Sequence, residues 1–137
     1  MATVPSAEQI FHEMFAKDHF SRWLGIHCTK IASGYCELGM EVREEMLNGF
    51  GIAHGAITFA LADSALAFAS NSRGRHAVSV ETSIAHLKPV RVGAELKAVA
   101  RELHGGNKVA HYQVEVSHEG EKVAFFKGTV YRSSKSW

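Results

Sequence analysis

A single carboxylate, Asp63, lies within a stretch of the chain where nearly every other side chain is apolar or small. The stretch from Ala53 to Ser72 predicts a long helix, and a helix that is apolar on all sides is normally buried. An ionised carboxylate is unfavourable in such a place. Two interpretations stay open: a structural Asp bonded to a donor elsewhere, or a desolvated carboxylate that serves as a base or nucleophile.

The start of this helix is a second candidate for chemistry. Asn48, Gly49 and Gly51 predict a sharply bent loop, which His54 and Gly55 connect to the helix. The first N–H groups of a helix have no internal acceptor and favour negative charge. Because Gly55 has no side chain, a ligand carbonyl could approach its N–H, as in an oxyanion hole. The alternative is that Gly55 only permits close packing.

The spacing between these groups decides how they can work together. Gly55 and Asp63 are eight residues apart, which is about 12 Å along a helix. A base and an oxyanion donor must both lie near the same substrate group, so one helix cannot supply both. His54 is half a turn out of phase with Asp63 and forms no dyad with it. If both groups are catalytic, we therefore predict that two copies of the helix run antiparallel across a dimer interface and share two sites.

Hydrophobic patterning predicts the elements around this helix. Ser6–Lys17 is predicted as a helix, Asp18–Ser21 as a break, and Leu24–Val42 as a hairpin that turns at Gly34. Arg43–Leu47 is a polar link. Strands are predicted at 77–87, 94–104, 109–116 and 123–132, with residues 94–104 also compatible with a helix, and residues 133–137 as a polar tail. In the first of these strands, one face is predicted to hold Val78, Val80, Thr82 and Ile84. The order favours an α+β fold, with a curved sheet wrapped around the long helix.

Length and composition limit the classes of function. The chain has 137 residues, 46% hydrophobic and 21% charged, with a net charge of +1. We expect one domain over 1–137, without a strong preference for nucleic acid. Asp63 argues against a membrane span. Cys28 and Cys36 lack metal-ligand spacing, and the first residues do not form a secretory signal, so we expect a cytoplasmic protein with reduced thiols.

Two motifs resemble a known family. The sequence NGFGIAHGA at 48–56, followed by Leu61-Ala62-Asp63, is similar to the hotdog-fold acyl-CoA thioesterases of the phenylacetic acid degradation type, in the 4-hydroxybenzoyl-CoA thioesterase superfamily. The resemblance continues through AVSVETSIAHLKP at 77–89 and VRVG at 90–93, and covers about 24–132. It implies a hotdog fold with a helical extension over 1–20, homodimers and usually homotetramers, and hydrolysis of an acyl-CoA thioester without a metal or other cofactor, coenzyme A being part of the substrate.

The resemblance also implies residue roles. Asp63 would be the nucleophile or general base, and Gly55 the oxyanion donor. Asn48 would position substrate or water, and His54 would orient the carbonyl region. Ser79 matches a position that carries a water-orienting hydroxyl in some relatives. The chain departs from the family at Ala56, where a second glycine is common.

Substrate-binding residues are expected on either side of these motifs. Phe50, Phe59 and Phe68 are candidates for an acyl pocket, although each also fits a plain core. Arg73, Arg75, Lys88 and Arg91 are candidates for the CoA phosphates, although each also fits a solvated charge. The predicted substrate is an aryl- or medium/long-chain acyl-CoA.

Two other functions stay open on the same fold. The first is a non-catalytic module that binds or senses acyl-CoA, which would not need Asp63. The second is a hydratase or dehydratase, which needs a His–Asp or His–Glu arrangement that the sequence does not provide at the expected positions. A nucleophile elbow, a phosphate-binding loop, a dinucleotide fingerprint and a His-Glu-x-x-His metal motif are absent from the sequence.

Overall fold

A computed structural model of the chain describes residues 3–137. Within that range the chain forms three α-helices, a one-turn 3-10 helix at Glu44–Met46 and six β-strands. The helices are α1 (Ala7–Lys17), α2 (His19–Trp23) and α3 (Gly55–Asn71), and the strands are β1 (His27–Ala32), β2 (Tyr35–Glu41), β3 (Arg75–His86), β4 (Glu95–Gly105), β5 (Val109–His118) and β6 (Glu121–Ser136).

The strands form a single antiparallel sheet in the order β1-β2-β4-β5-β6-β3, so β1 and β3 are its edges. The long helix α3 packs on one face of the sheet, with Leu61, Leu66 and Phe68 almost fully buried. Gly128 of β6 lets the helix approach closely, since a Cβ atom there would lie 2.6 Å from Leu66 Cδ2. The predicted α+β arrangement is confirmed. Residues 94–104, compatible with either element in the sequence, lie in a strand.

The N-terminal helix is capped as the sequence suggests. The Ser6 hydroxyl accepts the Gln9 N–H at 3.1 Å, and the Gln9 side chain accepts the Ser6 N–H at 2.8 Å. Phe11 of α1 packs edge-on against Phe68 of α3, with ring centroids 4.9 Å apart. The predicted break at Asp18–Ser21 is only partly correct, because Asp18 caps the short helix α2 by accepting the Ser21 N–H at 3.0 Å.

The predicted face of strand β3 is wrong in its first half. Val78 and Val80 are 64% and 63% exposed, whereas Ile84 packs against the core. The register of β3 against β6 slips between Ser79 and Glu81. A bulge adds one residue, so the two-residue alternation changes face at that point.

The predicted polar tail at 133–137 is also wrong. Strand β6 continues to Ser136 instead of ending at Arg132. Beyond it the Trp137 ring stacks on His76 at a centroid distance of 4.0 Å, and its indole N–H donates to Asn71 Oδ1 at 3.0 Å. Between residues 3 and 137, no helix is both long and apolar enough to cross a membrane.

Candidate active site

The N-terminus of α3 presents one unused donor. His54 is the N-cap, and its Nδ1 accepts the Ala56 N–H at 3.0 Å. The Ile57 N–H donates to the His54 carbonyl at 2.8 Å. The Gly55 N–H between them has no acceptor among the residues that the structure describes. It is therefore available to a ligand, at the end of the helix that favours negative charge.

Asn48 holds the loop that precedes this helix. Its side-chain oxygen accepts the N–H groups of Phe50 at 2.9 Å and Ile52 at 3.3 Å. The side-chain NH2 group is left for other partners. A cavity of about 390 Å³ opens beside the loop, and its lining includes Asn48, Gly55 and Lys88. Lys88 is ion-paired with Glu121 in the structure.

Two further polar side chains line the same cavity, and sequence reasoning missed both. The hydroxyl of Thr58 lies 3.1 Å from the Gly55 carbonyl and 3.2 Å from His86 Nδ1. A Cβ atom at position 55 would lie 3.1 Å from His86 Nε2, so the imidazole sits directly beside Gly55. Thr58 lies one helical turn after Gly55, so helix spacing could have predicted that it lies near Gly55. His86 belongs to β3, and no local sequence pattern predicts its position beside Gly55.

Asp63 lies in a different cavity, of about 330 Å³, with Ser79. Apolar groups form most of its walls, including Met14 of α1 and Val130 of β6. The carboxylate has no hydrogen bond or ion pair within the described part of the chain. Burial raises the pKa of Asp63 above its usual value, because the charged form loses solvation. A half-buried carboxylate without a structural partner is what a base or nucleophile requires.

Asn71 fixes β3 relative to α3 and thereby places Ser79 near Asp63. Its side-chain NH2 donates to the carbonyls of Ala67 at 2.8 Å and Ala77 at 3.0 Å. Its Oδ1 accepts the Ala77 N–H at 3.0 Å. Asn71 is only 3% exposed, so these bonds form a buried clamp between the end of the helix and the start of the strand.

The predicted substrate-binding residues are spread around the fold. The Phe59 ring packs edge-on against the Phe126 ring, with their centroids 5.4 Å apart. Phe50 is 90% exposed. Arg73 pairs with Glu102 beyond the far end of α3 from Gly55. The remaining candidates are the buried Phe68, Arg75 bonded to Asn107, and the exposed Lys88 and Arg91. Their roles in binding stay predictions.

The structure thus brings four of the five predicted catalytic residues together in two groups, whereas His54 caps the helix and lines neither cavity. Asn48 and Gly55 share one cavity with Lys88, and Asp63 shares the other with Ser79. The two cavities lie at different positions along α3, as the eight-residue spacing requires. One group contains an N–H that can donate to a developing oxyanion, and the other contains a carboxylate that can accept a proton.

The sequence and the fold of this chain are similar to those of several known proteins. Residues 50–125 match the thioesterase superfamily. The chain is 36% identical to the acyl-coenzyme A thioesterase PaaI of Escherichia coli over 92% of this chain and 91% of that one. It is 30% identical to human acyl-coenzyme A thioesterase 13 over 83% of this chain and 84% of that one. The E. coli PaaI structure superposes with a TM-score of 0.93 at 34% identity, covering 95% of each chain. A Streptococcus mutans protein, solved bound to acetyl CoA, gives 0.79 at 28% identity, over 82% of this chain and 91% of that one.

The chain therefore belongs to the thioesterase superfamily and has its hotdog fold. It is an enzyme of the thioester-hydrolysing class, and within that class it resembles PaaI. The family and fold implied by the two sequence motifs are confirmed.

Proposed function

We propose that this protein hydrolyses acyl-CoA thioesters to a free acid and CoA, with Asp63 as base or nucleophile and the Gly55 N–H as oxyanion donor. The main support for the proposal is that helix α3 holds two polar groups without hydrogen-bond partners in the described residues. The Gly55 N–H lacks an acceptor, and the carboxylate of Asp63 lacks a donor, within residues 3–137. Relatives that carry the name acyl-CoA thioesterase support the choice of substrate class.

In the general-base form, water attacks the thioester carbonyl while Asp63 takes one of its protons. The carbonyl oxygen gains negative charge and accepts the Gly55 N–H. The C–S bond then breaks, and the CoA thiolate receives the proton from Asp63. In the nucleophilic form, Asp63 attacks first and displaces the thiolate, and water hydrolyses the resulting anhydride. Protein groups and water carry every step, so we propose that no cofactor takes part.

We propose that each site is shared between two copies of the chain, joined along the edge strand β3. Ser79, beside Asp63, and His86, beside Gly55, are seven residues apart on this strand. That is about 23 Å in an extended chain. If two β3 strands pair antiparallel about a two-fold axis midway between these residues, Ser79 of each copy faces the His86 end of the other. A base from one chain then meets an oxyanion donor from its partner.

The exposure of β3 supports this pairing. The strand has 12 residues, lies at the sheet edge, and exposes Val78 and Val80. A long apolar edge is a template for pairing with another strand. We further propose that two such dimers associate as a homotetramer.

The two cavities guide the proposal for substrate binding. The apolar walls around Asp63 suit an aryl or medium/long acyl group. Lys88 lines the Gly55 cavity, the exposed Arg91 directly follows the lining residue Val90, and both suit the phosphates of CoA. Cys28 and Cys36 are free thiols, which fits our proposal of a cytoplasmic location.

The test is thiol release from a panel of aryl- and fatty-acyl-CoA thioesters. We expect Asp63→Ala to lower kcat/KM about 10²–10⁴-fold, as for loss of a positioned base. Glu44→Gln, which removes one negative charge at an exposed position, is the control and should keep the wild-type rate. Wild-type protein that hydrolyses none of the panel, or folded Asp63→Ala with full activity, would refute the proposal.

A further inference from the structure

Thr58 connects the backbone of Gly55 to the ring of His86. Its hydroxyl lies within hydrogen-bond distance of the Gly55 carbonyl at 3.1 Å and of His86 Nδ1 at 3.2 Å. The hydroxyl has only one proton, so it can donate to one of them at a time. Thr58 is 4% exposed, so solvent has little access to this hydroxyl.

The direction of this hydroxyl determines the tautomer of His86. If Thr58 donates to the Gly55 carbonyl, the imidazole carries its proton on Nδ1 and donates back to Thr58. If Thr58 donates to Nδ1, the proton is on Nε2. In the second arrangement the Gly55 carbonyl no longer accepts from Thr58, but it still has a hydrogen bond because it also accepts an N–H from the next turn of the helix.

Nε2 is the ring atom that faces the oxyanion donor. It lies 3.1 Å from the position that a Cβ of residue 55 would occupy, and both residues line the same cavity. A neutral imidazole with its proton on Nε2 therefore donates into the space next to the Gly55 N–H. Neutral imidazoles can polarise a carbonyl in this way without becoming charged.

We propose that His86 is a further catalytic residue, whose Nε2–H is the second donor to the thioester oxyanion, and that Thr58 is the positioning residue that sets its tautomer. This inference rests on the proposed thioesterase function and adds a residue to it. It also gives Gly55 a second role, because a Cβ at position 55 would lie 3.1 Å from His86 Nε2 and crowd the imidazole.

The first test compares His86→Phe with His86→Gln in the full-length enzyme. Phenylalanine keeps a planar ring but removes the donor, whereas glutamine places an N–H near the position of Nε2. We expect His86→Phe to lower kcat about 10²-fold, the effect of losing one oxyanion donor, with KM changed by less than about threefold. His86→Gln should recover at least about tenfold of that loss. Equal activity of the two variants, or folded His86→Phe with the wild-type kcat, would overturn the proposal.

The second test addresses Thr58 without relying on activity. The ¹⁵N resonances of the His86 ring distinguish a proton on Nε2 from one on Nδ1. With Thr58 present we expect the Nε2–H form to be populated; Thr58→Val should reduce it and lower kcat, and Thr58→Ser should restore both. An unchanged tautomer in Thr58→Val would overturn the positioning role. A failure of the thioesterase proposal is distinct, since it would appear as wild-type protein inactive on every thioester.

Discussion

Replacing Gly55 with proline removes the proposed oxyanion donor and leaves the helix able to form. Gly55 is the first residue of α3, a position where proline is favoured. His54 has φ −60° and ψ 139°, the extended conformation that a residue before proline prefers. The Gly55 N–H has no intramolecular acceptor in residues 3–137, so its loss breaks no bond of the fold.

The expected magnitude follows from the role of this group. Loss of one oxyanion donor lowers kcat about 10²–10³-fold. The new side chain adds a separate effect, because a Cβ at position 55 would lie 3.1 Å from His86 Nε2. Gly55→Ala carries the same Cβ but keeps the N–H. The ratio of kcat in Gly55→Ala to kcat in Gly55→Pro therefore cancels the effect of the Cβ and reports on the loss of the donor together with the added ring carbons of proline.

The assay is steady-state thiol release from the best acyl-CoA substrate, with thermal melting of each variant as the folding control. We expect Gly55→Ala to be impaired and Gly55→Pro to be a further ~10²-fold slower. If both fold and turn over at the same rate, the Gly55 N–H does not stabilise the transition state, and our reasoning about this helix end is wrong.

Three further predictions concern Asp63 and Asn71. Burial raises the pKa of Asp63, and the base must be ionised. The acidic limb of a pH–rate profile of kcat/KM should therefore lie above the ordinary pKa of an Asp carboxyl; a limb at or below that value would contradict this. A raised pKa in the folded state means that ionised Asp63 destabilises the fold, so Asp63→Asn should increase the free energy of unfolding at pH 7. This gain in stability should disappear as the pH falls below the unfolded-state pKa of about 3.9. Denaturant titrations at pH 7 and at a pH below that pKa test it, and an equal gain at the two pH values would contradict it. Asn71→Ala should lower the free energy of unfolding by about 1–3 kcal/mol, since it leaves the buried Ala77 N–H without its acceptor; an unchanged denaturation midpoint would contradict it.

The sequence was sufficient for the parts of the fold that depend on local patterns. The apolar run around Asp63 predicted a buried helix, and its observed start at Gly55 differs by two residues from the prediction. Alternation and turn residues predicted the hairpin and the later strands. The separation of Gly55 from Asp63 predicted that the two residues lie apart, because helix geometry converts residue spacing directly into distance.

The remaining features depend on contacts between distant parts of the chain. Thr58 and His86 are 28 residues apart, and Asn71 and Trp137 are 66 apart, so no local pattern marks either pair. The bulge in β3 is a property of its pairing with β6, and it exposes Val80, which alternation alone had placed with Ile84. Strand β6 likewise continues through residues that were predicted as a tail, and Trp137 beyond it stacks on His76.

The central claim is that one active site contains groups from two chains, and mixing inactive subunits tests it most directly. Asp63→Asn and Gly55→Pro are each expected to inactivate both sites of their own dimer. After random exchange about half of the dimers are hybrids, and each hybrid has one site built from wild-type Gly55 and wild-type Asp63. We predict recovery of about one quarter of wild-type activity. No recovery, with hybrid formation proven by native mass spectrometry, would contradict a site shared between chains.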